Sequence, residues 1–368
     1  MLRHLLVSLL VFTLAGCFPT DDSDSGDGGG TSDGGTTDGG TTDGGGTTDG
    51  GGTTDGGGTT DGGTTPFAWP ASADAYTPAD LRYVSSFTLP PEDGNGGESC
   101  CRDWGAASAN EGIDNAWAAL ARSMINLGGI DFQALMDEMI QSGDVVILLD
   151  TIDPGPLPED RLVAKLDAAF DGVDWATAAG GQGSFLIDRA SFLPGSGEPA
   201  EWFSGVLSSG FLDTTGESFT IGLPLFGATL PFHMREVVLQ ADDSAGEYLQ
   251  GELSGHVLLT DFYGAINDFV QSPACSCLGL TGPIYVQDPS SGSWTSDCAS
   301  DTSGCDPTTE TACIAFASSN IAQQGTCGLL SMMIPVDIDA DGDTSTFEAF
   351  SVGLLWEAAP TVSATLAP

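Results

Sequence analysis

Basic residues are scarce in this chain. Eight Lys and Arg stand against 52 Asp and Glu, a formal net charge of −44 over 368 residues. Lys165 is the only lysine. A surface so acidic repels nucleic acid and anionic lipid headgroups, so no nucleic-acid partner is expected. It keeps an exported chain soluble and raises the local concentration of divalent cations. Histidine is almost as rare, and only His233 and His256 lie outside the first few residues. HExxH and the P-loop do not occur, and no GxSxG falls within residues 66–368, which argues against zinc peptidase, α/β-hydrolase and P-loop nucleotide chemistry. Gly180-Gly181-Gln182-Gly183 lacks the strand-turn-helix setting of a phosphate cradle. Paired carboxylates would suit a glycosidase, but among so many the sequence singles out no pair. Long apolar runs are missing too. Leu329–Val336 is short and contains Pro335, too little to cross a bilayer.

What is present is arranged in blocks. Residues 1–17 read MLRHLLVSLLVFTLAGC. Arg3 precedes an apolar run from Leu5 to Leu14, which is short for a membrane span and suited to a signal-peptide core. The run ends in Leu14-Ala15-Gly16-Cys17, which resembles the lipobox of bacterial lipoproteins at all four positions. The resemblance implies a signal peptide over 1–16, lipidation of Cys17 and membrane attachment through the acyl chains. Phe18 rather than Asp follows the cysteine, which by the same resemblance points to the outer membrane, with the domain facing the periplasm or the cell exterior. Residues 17–65 then carry the lipidated cysteine and TTDGG-type repeats. With few apolar groups this stretch cannot offset its conformational entropy by burial. It reads as a flexible tether of roughly 35–40 Å.

Residues 66–368 are long enough for a real core. Beyond Cys17, eight of the nine cysteines remain: Cys100, Cys101, Cys275, Cys277, Cys298, Cys305, Cys313 and Cys327. An even set in an exported chain reads as disulfides. Six fall within 275–327, a loop-rich segment stapled because its own core is poor. Cys100 and Cys101 are expected to bond to other partners rather than to each other. Spacing matches no paired CxxC set, which disfavours zinc.

Hydrophobic periodicity outlines the elements. Strands are expected over Arg82–Leu89, Asp144–Ile152, Phe185–Leu193, Phe219–Leu225, Ala228–Phe232, Glu236–Ala241, Tyr248–Leu259 and Phe347–Trp356. Amphipathic helices are expected over Ile113–Ile125, 131–141 and Asp261–Val270. Residues 159–170 show a helical spacing at Leu162, Leu166, Ala169 and Phe170 without settling as helix or strand. Lys165 sits there in a packing context, and both histidines read as structural. The segregation of strands from helices predicts an α+β fold, mainly antiparallel sheet with a few helices.

Residues 337–348 read DIDADGDTSTFE. Asp337, Asp339 and Asp341 take positions 1, 3 and 5 of a calcium-type loop, Gly342 position 6 and Glu348 position 12. Calcium needs several hard oxygens. Alternating carboxylates supply them, glycine allows the sharp turn, and the last glutamate binds through both oxygens. Asp343 offers a backbone carbonyl, and Ser345 acts through water. Pro335 and the strand-like flanks do not suit a helix-loop-helix sensor. The loop resembles instead the DxDxDG calcium loops of exported bacterial proteins, which implies structural Ca2+. The tail VDIDADGDTSTFEAFSVGLLWEAAP and Asp114-Asn115-Ala116 together resemble uncharacterised exported lipoproteins of Gram-negative bacteria. That resemblance implies a shared architecture and no particular activity. The expectation is a membrane-anchored, non-catalytic binding or structural module, with protein, glycan or lipid as ligand. The alternatives are an exported hydrolase acting on carbohydrate and a lipid carrier.

Overall fold

The alternating run around Tyr83 lies near the middle of a large antiparallel sheet. The computed structural model describes residues 67–92, 99–108, 112–128, 131–170, 184–225, 228–243, 249–280, 282–288, 292–296, 302–311, 313–314, 334, 336–342, 347–361 and 363–368. Residues 1–66, with the expected signal peptide, Cys17 and the expected tether, lie outside them. Among the described residues the elements run β1 (Asp80–Thr88), α1 (Ala116–Gly128), α2 (Phe132–Ser142), β2 (Ile147–Ile152), β3 (Asp160–Phe170), β4 (Ser184–Ile187), β5 (Glu201–Ser208), β6 (Phe211–Leu225), β7 (Ala228–Asp242), β8 (Leu249–Leu258), α3 (Leu259–Gln271), β9 (Tyr285–Gln287), β10 (Trp294–Ser296), β11 (Ala349–Pro360) and β12 (Ser363–Leu366). The α+β expectation, dominated by antiparallel sheet, holds.

Sequence patterning did not reveal that the sheet closes. Strands β3, β2, β1, β11, β8, β7, β6 and β5 pair in that order, and β5 returns to β3. Every pairing in the ring is antiparallel. An eight-stranded barrel is just wide enough for side chains to fill it, and closure removes the free edges that would otherwise invite aggregation. The main core takes in Phe203, Phe219, Leu239, Leu253, Leu354 and Trp356 from these strands. The helices pack onto the same core. The Trp117 ring of α1 lies 5.1 Å from Phe132, 4.8 Å from Phe232 and 6.2 Å from Phe350, centroid to centroid.

β3 forks. Its first half, Asp160–Lys165, pairs with β5 to close the barrel. Its last residues, Ala168–Phe170, pair with β4, and β12 adds to β4 in parallel. A second core of Leu81, Tyr83, Leu148, Leu166 and Phe185 fills the space beneath that ribbon. β3 is therefore apolar on both faces: Val163 belongs to the main core and Leu166 to the second. Two-sided burial erases the alternation of a strand, which explains the ambiguous spacing of 159–170.

Two predicted short strands, 228–232 and 236–241, are one long strand, β7, kinked at Glu236. This residue has φ +48°, and the pairing with β8 slips between Arg235 and Val238. Core-facing residues change parity there, from Leu230, Phe232 and Met234 to Val237, Leu239 and Ala241. A one-residue slip moves every following side chain to the other face. The sequence pattern breaks at the same place, between the expected strands 228–232 and 236–241.

α2 begins with Asp131, whose side chain accepts from the Ala134 amide at 3.0 Å, and ends at Gly143 with φ +78°. Gly143 favours that left-handed conformation because it lacks Cβ. The disulfides Cys275–Cys313 and Cys277–Cys305 staple the segment after α3. Cys298 and Cys327 lie outside the described residues. Cys100 bonds to Cys101, contrary to the sequence expectation.

Candidate metal centre

Ile338 forms antiparallel bridges with both Ser108 and Ala349. The Asp339 amide donates to the Ala107 carbonyl at 2.9 Å, and the Ala349 amide to the Ile338 carbonyl at 3.2 Å. These bonds close the 339–348 loop at its neck and dock it on the segment before α1. Gly342 takes φ +83°, the sharp turn that position 6 requires. Its amide donates to Asp339 Oδ1 at 2.8 Å, and the Ala340 amide to Glu348 Oε1 at 2.6 Å.

Three of the predicted ligands converge. Oxygens of Asp339, Asp341 and Glu348 lie within 4.8 Å of one another. Calcium–oxygen distances of about 2.3–2.6 Å allow one ion to touch oxygens at that spacing. Glu348 Oε2 is buried and has no hydrogen-bond partner. An unpaired carboxylate oxygen out of water is costly, and a cation would relieve the cost. Burial pushes the Glu348 carboxyl up against the pull of the Ala340 and Asp341 amides, and the Asp341 and Asp339 carboxylates add to the rise. The donor set is all oxygen, which fits a hard cation. Asp343 and Ser345 lie outside the described residues.

Asp337 does not join them. Its Oδ1 accepts from the Ser351 amide at 2.8 Å and its Oδ2 from the Ser351 hydroxyl at 2.5 Å. Burial, opposed by these bonds, pushes the carboxyl up to about 6. The Ser351 hydroxyl in turn accepts from the Ala116 amide at 2.8 Å. One of the orphan donors at the start of α1 is thus satisfied, and through Ser351 the helix end is linked to an acidic group. The role of Asp337 is to anchor the loop to β11 and α1.

Asp114 and Asn115 complete this junction. Asp114 accepts from the Ser108 hydroxyl at 2.5 Å and the Trp104 amide at 3.0 Å. Asn115 Oδ1 accepts from the amides of Ala118 at 3.1 Å and Gly353 at 3.0 Å. Its Nδ2 donates to the carbonyls of Cys100 at 3.1 Å and Gly353 at 2.9 Å. α1 therefore starts at Ala116 behind an Asn115 cap, three residues later than its apolar spacing suggests, and Ile113 is exposed. The 114–116 patch and the tail from Asp337 are in direct contact.

A second polar cluster fills the fork of β3. Lys165 Nζ bonds Asp167 at 2.8 Å and Glu201 at 3.0 Å, and only 4% of its side chain is exposed. Glu201 also accepts from Thr220, amide at 3.1 Å and hydroxyl at 2.6 Å, and Thr220 Oγ1 lies 3.0 Å from His233 Nδ1. Burial pushes the Glu201 carboxyl up, but Lys165 and Thr220 together outweigh it and hold the group below its ordinary value. A cleft of about 520 Å³ beside it is lined by Glu198, Glu201, Trp202 and Glu217. Sequence reasoning placed Lys165 in a packing context and missed Glu201, because β5 was not recognised. His256 is buried against Trp104, ring centroids 5.3 Å apart, and burial pushes its imidazole down.

Comparison with known proteins finds no matching family model, no matching curated protein and no matching solved structure.

Proposed function

We propose that the chain is a lipid-anchored exported module whose barrel acts as a non-catalytic binding or structural domain stiffened by one calcium ion. The observation that carries this reading is the convergence of Asp339, Asp341 and Glu348, with a buried Glu348 oxygen lacking any other partner. Bound calcium offsets two of the three carboxylate charges and ties the loop shut. Because the loop neck is bonded to Ala107 and Ser108, it also fixes the segment that leads into α1. The lipobox resemblance supports lipidation at Cys17 and an outer-membrane address, with residues 17–65 as the tether.

Two features favour this over the alternatives. A glycosidase needs one carboxyl kept protonated, and Glu201, which lines the cleft of about 520 Å³, is held ionised by Lys165. A lipid carrier needs an apolar cavity, and the barrel core is occupied by Phe203, Phe219, Leu354 and Trp356. The test is thermal unfolding of the full chain in calcium and in chelator, beside Asp339→Ala plus Asp341→Ala. Calcium at 100 times its Kd should stabilise the parent by roughly 2.7 kcal/mol and leave the variant unchanged. An equal response of both proteins, or none in the parent, would remove calcium from the reading.

A further inference from the structure

The bond between Cys100 and Cys101 does not cross-link the chain. Disulfides stabilise mainly by closing loops, and this one joins neighbours, whereas Cys275–Cys313 spans 38 residues and Cys277–Cys305 spans 28. What holds residues 99–101 in place is the Asn115 bond to the Cys100 carbonyl and the absence of a side chain at Gly353. A Cβ there would lie 2.7 Å from Asn115 Nδ2, 3.0 Å from the Cys100 carbonyl and 3.1 Å from the Cys101 amide. Reduction of the pair therefore leaves its backbone anchored.

Beside the two sulfurs stands Glu252 of β8. Ligand atoms of Cys100, Cys101 and Glu252 all lie within 4.8 Å of one another. Glu252 lines a groove of about 440 Å³ with Ser86, Gln250 and Glu357, which opens its side of the site to solvent, while Cys100 is buried. Burial alone raises its carboxyl, as expected for a partly desolvated acid beside no cation. Tetrahedral zinc, with about 2.3 Å to sulfur and about 2.0–2.2 Å to carboxylate oxygen, sets its ligands roughly 3.5–3.8 Å apart. The three groups already lie within 4.8 Å of one another, close to that spacing.

We propose that Cys100, Cys101 and Glu252 form a redox-gated site for a thiophilic divalent cation of the Zn2+ type. A dithiol reductant gives two electrons and two protons to the Cys100–Cys101 bond and leaves as its own cyclic disulfide. Cation binding then releases the two thiol protons to solvent. Two thiolates and one carboxylate hold the ion, and the fourth position opens on the groove. The similar group Cys277, Cys305 and Glu310 is a poorer site. Reducing its disulfide opens a loop, and Glu310 already accepts from the Asp306 amide at 2.7 Å.

The test uses the full chain, reduced with a water-soluble phosphine, in excess calcium to fill the acidic loop. Cd2+ is the probe, read by its thiolate charge-transfer absorption and by alkylation rates of each cysteine from peptide mapping. The expected result is one Cd2+ per reduced chain and none on the oxidised chain. Alkylation of Cys100 and Cys101 should slow at least tenfold, and Glu252→Gln should raise the Kd at least tenfold. Unchanged labelling of Cys100 and Cys101, protection confined to Cys277 and Cys305, or equal affinity in Glu252→Gln would each overturn the proposal. A reduced chain that has unfolded would bind without dependence on Glu252 and would count against it as well.

Discussion

Asn115 and Gly353, 238 residues apart in the chain, exchange hydrogen bonds in both directions. The Asn115 carboxamide accepts from the Gly353 amide at 3.0 Å and donates to its carbonyl at 2.9 Å. The side chain mimics a neighbouring strand and pairs with β11 where the calcium-type loop, α1 and Cys100 meet. Asn115 is 2% exposed, so no water replaces these bonds when they are lost.

Asn115→Ala should therefore cost roughly 3 kcal/mol or more, because it strands buried backbone groups of Gly353 and Cys100 and uncaps α1. Urea unfolding checks this. Asn115→Asp should fare little better, since its second oxygen would face two carbonyls in place of a donor.

Gly353→Ala tests the same contact from the other side. The added methyl would meet Asn115 Nδ2 at 2.7 Å and the Cys100 carbonyl at 3.0 Å. The expected loss is about 1–3 kcal/mol. A neutral result in the same unfolding assay would mean that the 99–101 segment is free to withdraw.

Lys165→Met removes the cation between Asp167 and Glu201. With Glu201 12% exposed, an uncompensated buried carboxylate should cost about 3–5 kcal/mol. Adding Glu201→Leu should recover a large part of that loss, which a double-mutant cycle would measure.

The sign of the pH dependence follows from the same pair. Glu201 is held below its ordinary value in the folded state. Its contribution is present above the unfolded value, about 4.3, and is lost as pH falls through the lower folded one. The stability difference between the parent and Glu201→Gln should be constant near neutrality and shrink on acidification below about pH 4. Chemical unfolding from pH 7 to pH 2.5 would show it.

Glu236→Gly should stabilise the protein. Glu236 holds φ +48°, which disfavours any residue with a Cβ, and its contact to Arg102 Nη1 at 3.0 Å uses the backbone carbonyl. Glycine keeps that contact and relieves about 1 kcal/mol of backbone strain. A rise of a few degrees in Tm is expected. A fall would assign the Glu236 carboxylate a role of its own.

Local pattern was enough for the antiparallel sheet, the three helices and the loop at 337–348, because each depends on neighbours a few residues apart. Alternation marked β1 and β11, the 3.6-residue period marked α1 and α2, and acidic spacing singled out Asp339, Asp341 and Glu348, which the fold brings together. Tertiary structure alone decided the rest. It closed the barrel through β5, whose pairing with β3 joins residues about forty apart. It turned Asp337 away from its loop partners, because the Ser351 amide and hydroxyl, two strong donors, lay on the other side. It paired Cys100 with Cys101 and placed Glu252 of β8 beside them, from segments that no sequence window contains together. Spacing along the chain encodes what a segment will form; which polar groups end up face to face depends on which segments share a wall of the barrel.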